Sequence, residues 1–135
     1  INRVQEFLNK IEYGNQTTSS NLDLYWSDFS LKISPLEQVT LLKKFNTNEF
    51  HLNSQNVFSV KNAIKIASTP NGNFYGKTGT GRVNGQDING WFIGYVETSD
   101  NSYYFATNIQ SDSNATGKKA FEITSDILKK LHIWN

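Results

Sequence analysis

Asn84-Gly85 divides a long run of strand-forming residues, with Tyr75 to Val83 before it and Gln86 to Glu97 after it. Both members of the pair accept positive φ, as the central residues of a type I′ turn must, so the segment is predicted to fold back as an antiparallel hairpin. Ser99-Asp100-Asn101 supplies a second turn. Strands over about 73–82, 87–97 and 102–109 then form a meander.

Ahead of the meander the apolar period is helical. Val4, Phe7, Leu8 and Ile11 recur at i, i+3, i+4 and i+7, and the helix they predict stops at Tyr13-Gly14-Asn15, where glycine takes the left-handed cap. A polar loop, Gln16 to Ser20, leads into the apolar and aromatic stretch from Leu22 to Phe29. Ser34-Pro35-Leu36-Glu37 combines a cap serine, proline at the first helical position and a glutamate that can close a capping box. Leu36, Val39, Leu42 and Phe45 are the buried stripe expected of that helix. A third helix is predicted from Ser54 to about Ala67, with Val57, Val60 and Ile64 inward, ended by Thr69-Pro70-Asn71-Gly72. After the strands, Gly117 precedes a last helix whose Ala120, Phe121, Ile127, Leu128 and Leu131 share a face. Helices, then strands, then a helix give an α+β fold, an antiparallel sheet flanked by helices.

Length and composition narrow the function classes. A chain of 135 residues is one domain or less, and 37% hydrophobic with 13% aromatic residues is enough to build a core. A net charge of +1 is not the footprint of a nucleic-acid binder, so no nucleic-acid partner is expected. No run approaches the ~18 apolar residues of a membrane span. With no cysteine, thiol catalysis, cysteine-ligated metals and disulfides are excluded, and His51 and His132 stand in unrelated contexts, so no metal site is expected. Methionine is absent even at position 1, and the chain starts inside a helical pattern. The expectation is that it is the back part of something longer.

Lys77-Thr78-Gly79, within Phe74-Tyr75-Gly76-Lys77-Thr78-Gly79-Thr80-Gly81, carries the chemistry. A cation, a hydroxyl and accessible backbone N–H groups along one short edge suit a carboxylate and an oxyanion. A phosphate loop would need glycine at the position of Asn71, followed by a helix, and the hairpin signal excludes it. The lysine therefore belongs to a strand edge. Trp91 and Phe92, which alternate along the next strand, are read as core.

Taken in order, Tyr13-Gly14-Asn15, Tyr25-Trp26, Ser30 to Gln38, Tyr75 to Gly81 and Asn89-Gly90-Trp91-Phe92-Ile93-Gly94-Tyr95-Val96 resemble the C-terminal half of the class D penicillin-recognising serine domains. That group holds the OXA-type β-lactamases and the extracellular sensor domains of the BlaR/MecR membrane receptors. The resemblance covers essentially the whole chain. Lys77-Thr78-Gly79-Thr80-Gly81, Asn84-Gly85, Asn89-Gly90-Trp91-Phe92 and Ser102-Tyr103-Tyr104-Phe105-Ala106-Thr107 are more similar to the sensor branch than to most OXA-type enzymes.

The resemblance implies that an active-site serine attacks the β-lactam carbonyl and forms an acyl-protein. Lys77 would anchor charge along the strand edge. Thr78 and Thr80, with Gly79 between them, would hold the antibiotic carboxylate, and the Thr80 N–H would be half of the oxyanion hole. Tyr13 and Asn15 would belong to the site wall. In the family a lysine carbamylated by CO2 is the general base, and Trp26 matches the tryptophan that supports the carbamate. No other cofactor is implied. The partners implied are β-lactam antibiotics, the N-terminal part of the same domain, and the membrane-embedded and protease parts of a receptor. Placement would be at the cell membrane on the extracellular side, or secreted for a β-lactamase.

Two departures separate the chain from that pattern. The family nucleophile sits in Ser-x-x-Lys, a spacing found nowhere here, so the serine and its lysine are expected outside these residues. Ser27 follows Trp26, where OXA-type enzymes usually carry leucine. A more polar pocket would favour loss of the carbamate and a long-lived acyl adduct, which suits a sensor with no turnover better than the alternative, a class D hydrolase. The arginine that OXA-type enzymes place beyond the third strand has only Lys118 and Lys119 in its region.

Overall fold

The computed structural model describes residues 2–18, 25 and 29–135. They form two compact units, residues 1–52 and 53–135.

The first unit holds α1 (Asn2–Lys10) and α2 (Pro35–Asn46). α1 ends earlier than predicted, at Lys10: Glu12 takes the left-handed cap at φ 53° and the Tyr13 N–H donates back to the Leu8 carbonyl at 3.0 Å, while Gly14, also left-handed at φ 49°, serves the turn that follows. Leu8 and Ile11 are buried, whereas Val4 and Phe7, expected on the same inner face, are exposed in the described chain. α2 begins with the full capping box: Ser34 Oγ accepts from the Glu37 N–H at 3.2 Å, and the Ser34 N–H donates to Glu37 Oε2 at 2.8 Å. That hydrogen bond holds the Glu37 carboxyl below its usual pKa. The buried residues of α2 are Gln38 and Leu42, and Leu36 is 82% exposed, so the predicted stripe is rotated.

The second unit runs α3 (Ser54–Ala63), β1 (Lys65–Thr69), β2 (Gly72–Val83), β3 (Gln86–Thr98), β4 (Ser102–Gln110) and α4 (Gly117–Lys130). The meander of β2, β3 and β4 follows the sequence reading closely, and Asn84 and Gly85 take φ 48° and 78° at the hairpin tip. The third helix is shorter than predicted. Its last residues leave at Ile64 and become β1, an edge strand that adds to the sheet in the order β1-β2-β3-β4. Thr69-Pro70-Asn71-Gly72 is thus a strand-to-strand turn rather than a helix stop.

Side-chain alternation sorts the sheet into two faces. Phe74, Phe92 and Val96 pack with Ala120 and Leu128 of α4, and Phe105, Ile109 and Phe121 complete that core. The opposite face carries Tyr75, Tyr95 and Tyr104: the first two rings stack with centroids 4.7 Å apart, and Tyr104 packs tilted against Tyr95 at 5.7 Å. On α4, Thr124 is buried and its hydroxyl meets that of Thr107 at 2.6 Å. Ile127 and Leu131, expected inward, are exposed, and Trp91 is half-buried.

Candidate functional site at the open edge of the second strand

β1 is short. It pairs with β2 only from Gly72 to Tyr75, after which Gly76 N–H donates to Ile64 carbonyl at 2.8 Å. From Lys77 to Val83 that side of β2 has no strand partner among the described residues, while the other side stays paired with β3 throughout. Because backbone groups alternate in direction along a strand, the outward direction of the Gly76 N–H fixes those that follow. The pairing stays regular up to Gly81, so the Thr78 and Thr80 N–H groups face the open edge. Lys77 and Gly79 turn theirs toward β3.

Side chains flank that edge from both faces. Lys77 lies on the face of Tyr75, and its ammonium reaches around to donate to the Thr78 carbonyl at 2.6 Å. Thr78 and Thr80 lie on the face that meets α4, and the Thr80 hydroxyl oxygen accepts the Gly117 N–H at 2.9 Å. All of Lys77, Thr78, Gly79 and Thr80 are exposed. The edge therefore presents outward backbone donors, a hydroxyl and a movable cation within five residues of strand, Gly76 to Thr80. Such a set can hold an anion and polarise a carbonyl. Beyond it, Arg82 pairs with Asp87 at 2.7 Å and braces the hairpin.

Lys118 and Lys119 stand in the first turn of α4, next to Gly117. Lys118 lies 3.9 Å from Glu122, a weak exposed pair. Gly117 was invisible as a site residue in the sequence. It lies 37 positions from Thr80, and only its small size at a helix start gave any signal.

Tyr13 and Asn15 lie in the first unit. Asn15 is engaged by its own loop: Oδ1 accepts the Lys32 N–H at 2.9 Å and the Thr17 N–H at 3.3 Å, and Nδ2 donates to the Ser30 carbonyl at 2.8 Å. The Asn15 N–H also donates to the Lys32 carbonyl at 2.9 Å. A Cβ on Gly14 would collide with that same carbonyl, so both residues clasp the two ends of the loop. Tyr13 is half-buried, and burial, with Tyr25 adding to it, pushes its hydroxyl above the ordinary tyrosine pKa. Trp26 and Ser27 lie outside the described residues. No group of three or more His, Cys, Asp or Glu that could hold a metal occurs among the described residues.

Comparison with known proteins identifies the family. The penicillin binding protein transpeptidase domain family matches residues 1–129. The chain is 45% identical over 130 residues to the methicillin resistance mecR1 protein of Staphylococcus aureus, covering 96% of this chain and 22% of that protein. It is 47% identical over 131 residues to the regulatory protein BlaR1 of Bacillus licheniformis, covering 97% of this chain and 22% of that one. Among solved structures, the C-terminal domain of the Bacillus licheniformis BlaR penicillin-receptor superposes with a TM-score of 0.93 at 45% identity, over 99% of this chain and 54% of that one. A class D β-lactamase from Bacillus subtilis gives 0.90 at 36%, over 100% of this chain and 54% of that one. The chain thus spans 22% of the length of those curated relatives and 54% of those solved chains. With its open strand edge and its four-stranded antiparallel sheet, the chain belongs to the penicillin binding protein transpeptidase domain family, on the BlaR/MecR-type, class D β-lactamase-like side of it.

Proposed function

We propose that the chain is part of the extracellular β-lactam-sensing domain of a membrane signal transducer. In this reading penicillin acylates a serine outside these residues, and the long-lived adduct is the signal that induces resistance. The observation that carries it is the open edge of β2, with the Thr80 N–H facing outward beside the Lys77 ammonium and two threonines, in a chain so similar to BlaR1 and mecR1 proteins. Thr80 N–H would take the oxyanion half-site. Thr78 and Thr80 would hold the drug carboxylate, and Lys77 would supply charge beside it. Trp26 would support a carbamylated lysine carried, like the serine, by the N-terminal part of the domain, while Tyr13 and Asn15 would shape the wall. No helix among the described residues is long and apolar enough to cross a membrane. In this reading the membrane-embedded and protease parts of the receptor are other segments of the protein.

The second reading is a class D β-lactamase, favoured by the overlap with the Bacillus subtilis enzyme. Acyl lifetime separates the two. The intact protein mixed with penicillin and followed by mass spectrometry should keep its adduct for a cell generation or longer. Loss of the adduct within seconds, with hydrolysed product, would replace the sensor by the enzyme. Failure to form any adduct would sink both.

A further inference from the structure

The connection from β4 to α4 comes closer to β2 than any side chain would permit. Gly117, the first residue of α4, is buried, and a Cβ there would stand 2.6 Å from the Gly79 oxygen, 2.9 Å from its nitrogen and 3.0 Å from Thr78 Cβ. Gly90 is equally close to the Thr116 carbonyl on the β3 side. Main-chain hydrogen bonds stitch the connection down: Ser111 N–H to Ile88 carbonyl at 3.2 Å and Ala115 N–H to Asp87 carbonyl at 2.8 Å. The last stitch is different, because Gly117 N–H donates at 2.9 Å to a side chain, the exposed Thr80 hydroxyl.

A threonine hydroxyl carries one hydrogen and two lone pairs. Once the oxygen takes the Gly117 N–H, its own hydrogen must turn away from Gly117, and accepting one bond strengthens the bond it donates. A hydroxyl free to rotate would have to be ordered when a ligand arrives, whereas this one already has part of its rotation closed off by the Gly117 N–H. We propose that Gly117 is a positioning residue for the β-lactam carboxylate. Its N–H fixes the Thr80 hydroxyl as a donor toward the anion, and its missing side chain is what brings that N–H within reach. This rests on the penicillin-binding reading, and gives Thr80 its orientation where the region has only Lys118 and Lys119 in place of an arginine.

The test uses the intact protein and two probes, benzylpenicillin and its methyl ester, with acylation rate constants measured for each. The ester keeps the reacting ring and removes the anion, so the acid-to-ester ratio reports the carboxylate contact alone. Thr80→Val and Gly117→Ala should each lower that ratio by about 10-fold, the scale of one hydrogen bond to a charged group, while Thr80→Ser keeps most of it. A merely structural role for Gly117 would slow acid and ester by the same factor and leave the ratio intact, which overturns the proposal. If Gly117→Ala does not fold, the unaltered protein still decides. Its Gly117 amide proton resonance should move when the acid acylates and stay when the ester does, and equal responses overturn the proposal. Acylation by neither probe would sink the penicillin reading and this proposal with it. Normal acylation with an undisturbed ratio in Gly117→Ala sinks this proposal alone.

Discussion

Asn15 uses both oxygen lone pairs and one amide hydrogen on its own loop, leaving one N–H for anything else. Its contribution is therefore first to stability. Asn15→Ala should lower the unfolding free energy by ~0.5–1.5 kcal/mol, the net worth of an ordinary hydrogen bond where water can replace the lost partner, as measured by urea denaturation. Gly14→Ala should cost at least as much, because it adds a clash to a left-handed backbone. If both variants keep wild-type stability, the clasp is wrong. At this scale the sequence was readable wherever one residue type answers one backbone demand. Gly14, Asn84 and Gly85 all take the positive φ that their turn signals predict. Contacts that join distant positions were not readable. Nothing local to Asn15 names Lys32, and nothing local to Thr80 names Gly117.

Among the elements, α2 shows how a local rule and a tertiary one can diverge. The capping box was legible because all of its parts lie within four residues, Ser34 to Glu37. The buried face was not, since Gln38 is inside while Leu36 is exposed. Ser34→Ala should lower stability by about 1 kcal/mol near neutral pH, measured by thermal or urea melts. The Glu37 carboxyl has a lowered folded pKa, so its part in the box is complete above its unfolded value near ~4.3 and fades as pH falls through the folded one. The cost of Glu37→Ala should shrink over that acid range, and a cost that stays constant would exclude the reciprocal bond. β1 was missed for a related reason. Lys65-Ile66-Ala67-Ser68-Thr69 continues a helical pattern, and only pairing with Gly72 to Tyr75 makes it a strand.

At the scale of the molecule, the sheet has one aromatic core against α4 and one tyrosine stack on its other face. The α+β order and the three longer strands could be read from period and turn chemistry, and the family from the order of its motifs. The distribution of burial between the faces could not, because it depends on which element covers each strand. Phe92 is 1% exposed in the middle of the core, and Phe92→Ala should cost about 3–5 kcal/mol. Tyr95 is fully buried, and its hydroxyl has no partner among the described residues. Burial raises its pKa, with Glu97, Tyr75 and Tyr104 adding to the effect, and burial likewise raises Tyr75. These groups stay neutral in the folded state after the unfolded chain has begun to ionise near pH ~10. Their stabilising effect is whole below that pH and declines as pH climbs toward the folded values. Tyr95→Phe should leave neutral stability unchanged or raise it by up to ~1 kcal/mol, and should flatten the alkaline decline. An equally steep decline in the variant would assign the effect to other residues.

The short first strand also affects the protein's behaviour in solution. A bare strand border invites any extended chain to dock, including another copy of the same molecule. Lysine is among the residues that keep such borders from sticking together, and Lys77, with its ammonium folded over the Thr78 carbonyl, occupies one of the very acceptors an incoming chain would need. Lys77→Ala should therefore raise self-association at high protein concentration, read by light scattering, before any drug is added. The residue proposed to meet the antibiotic would then also help to keep the unliganded protein monodisperse.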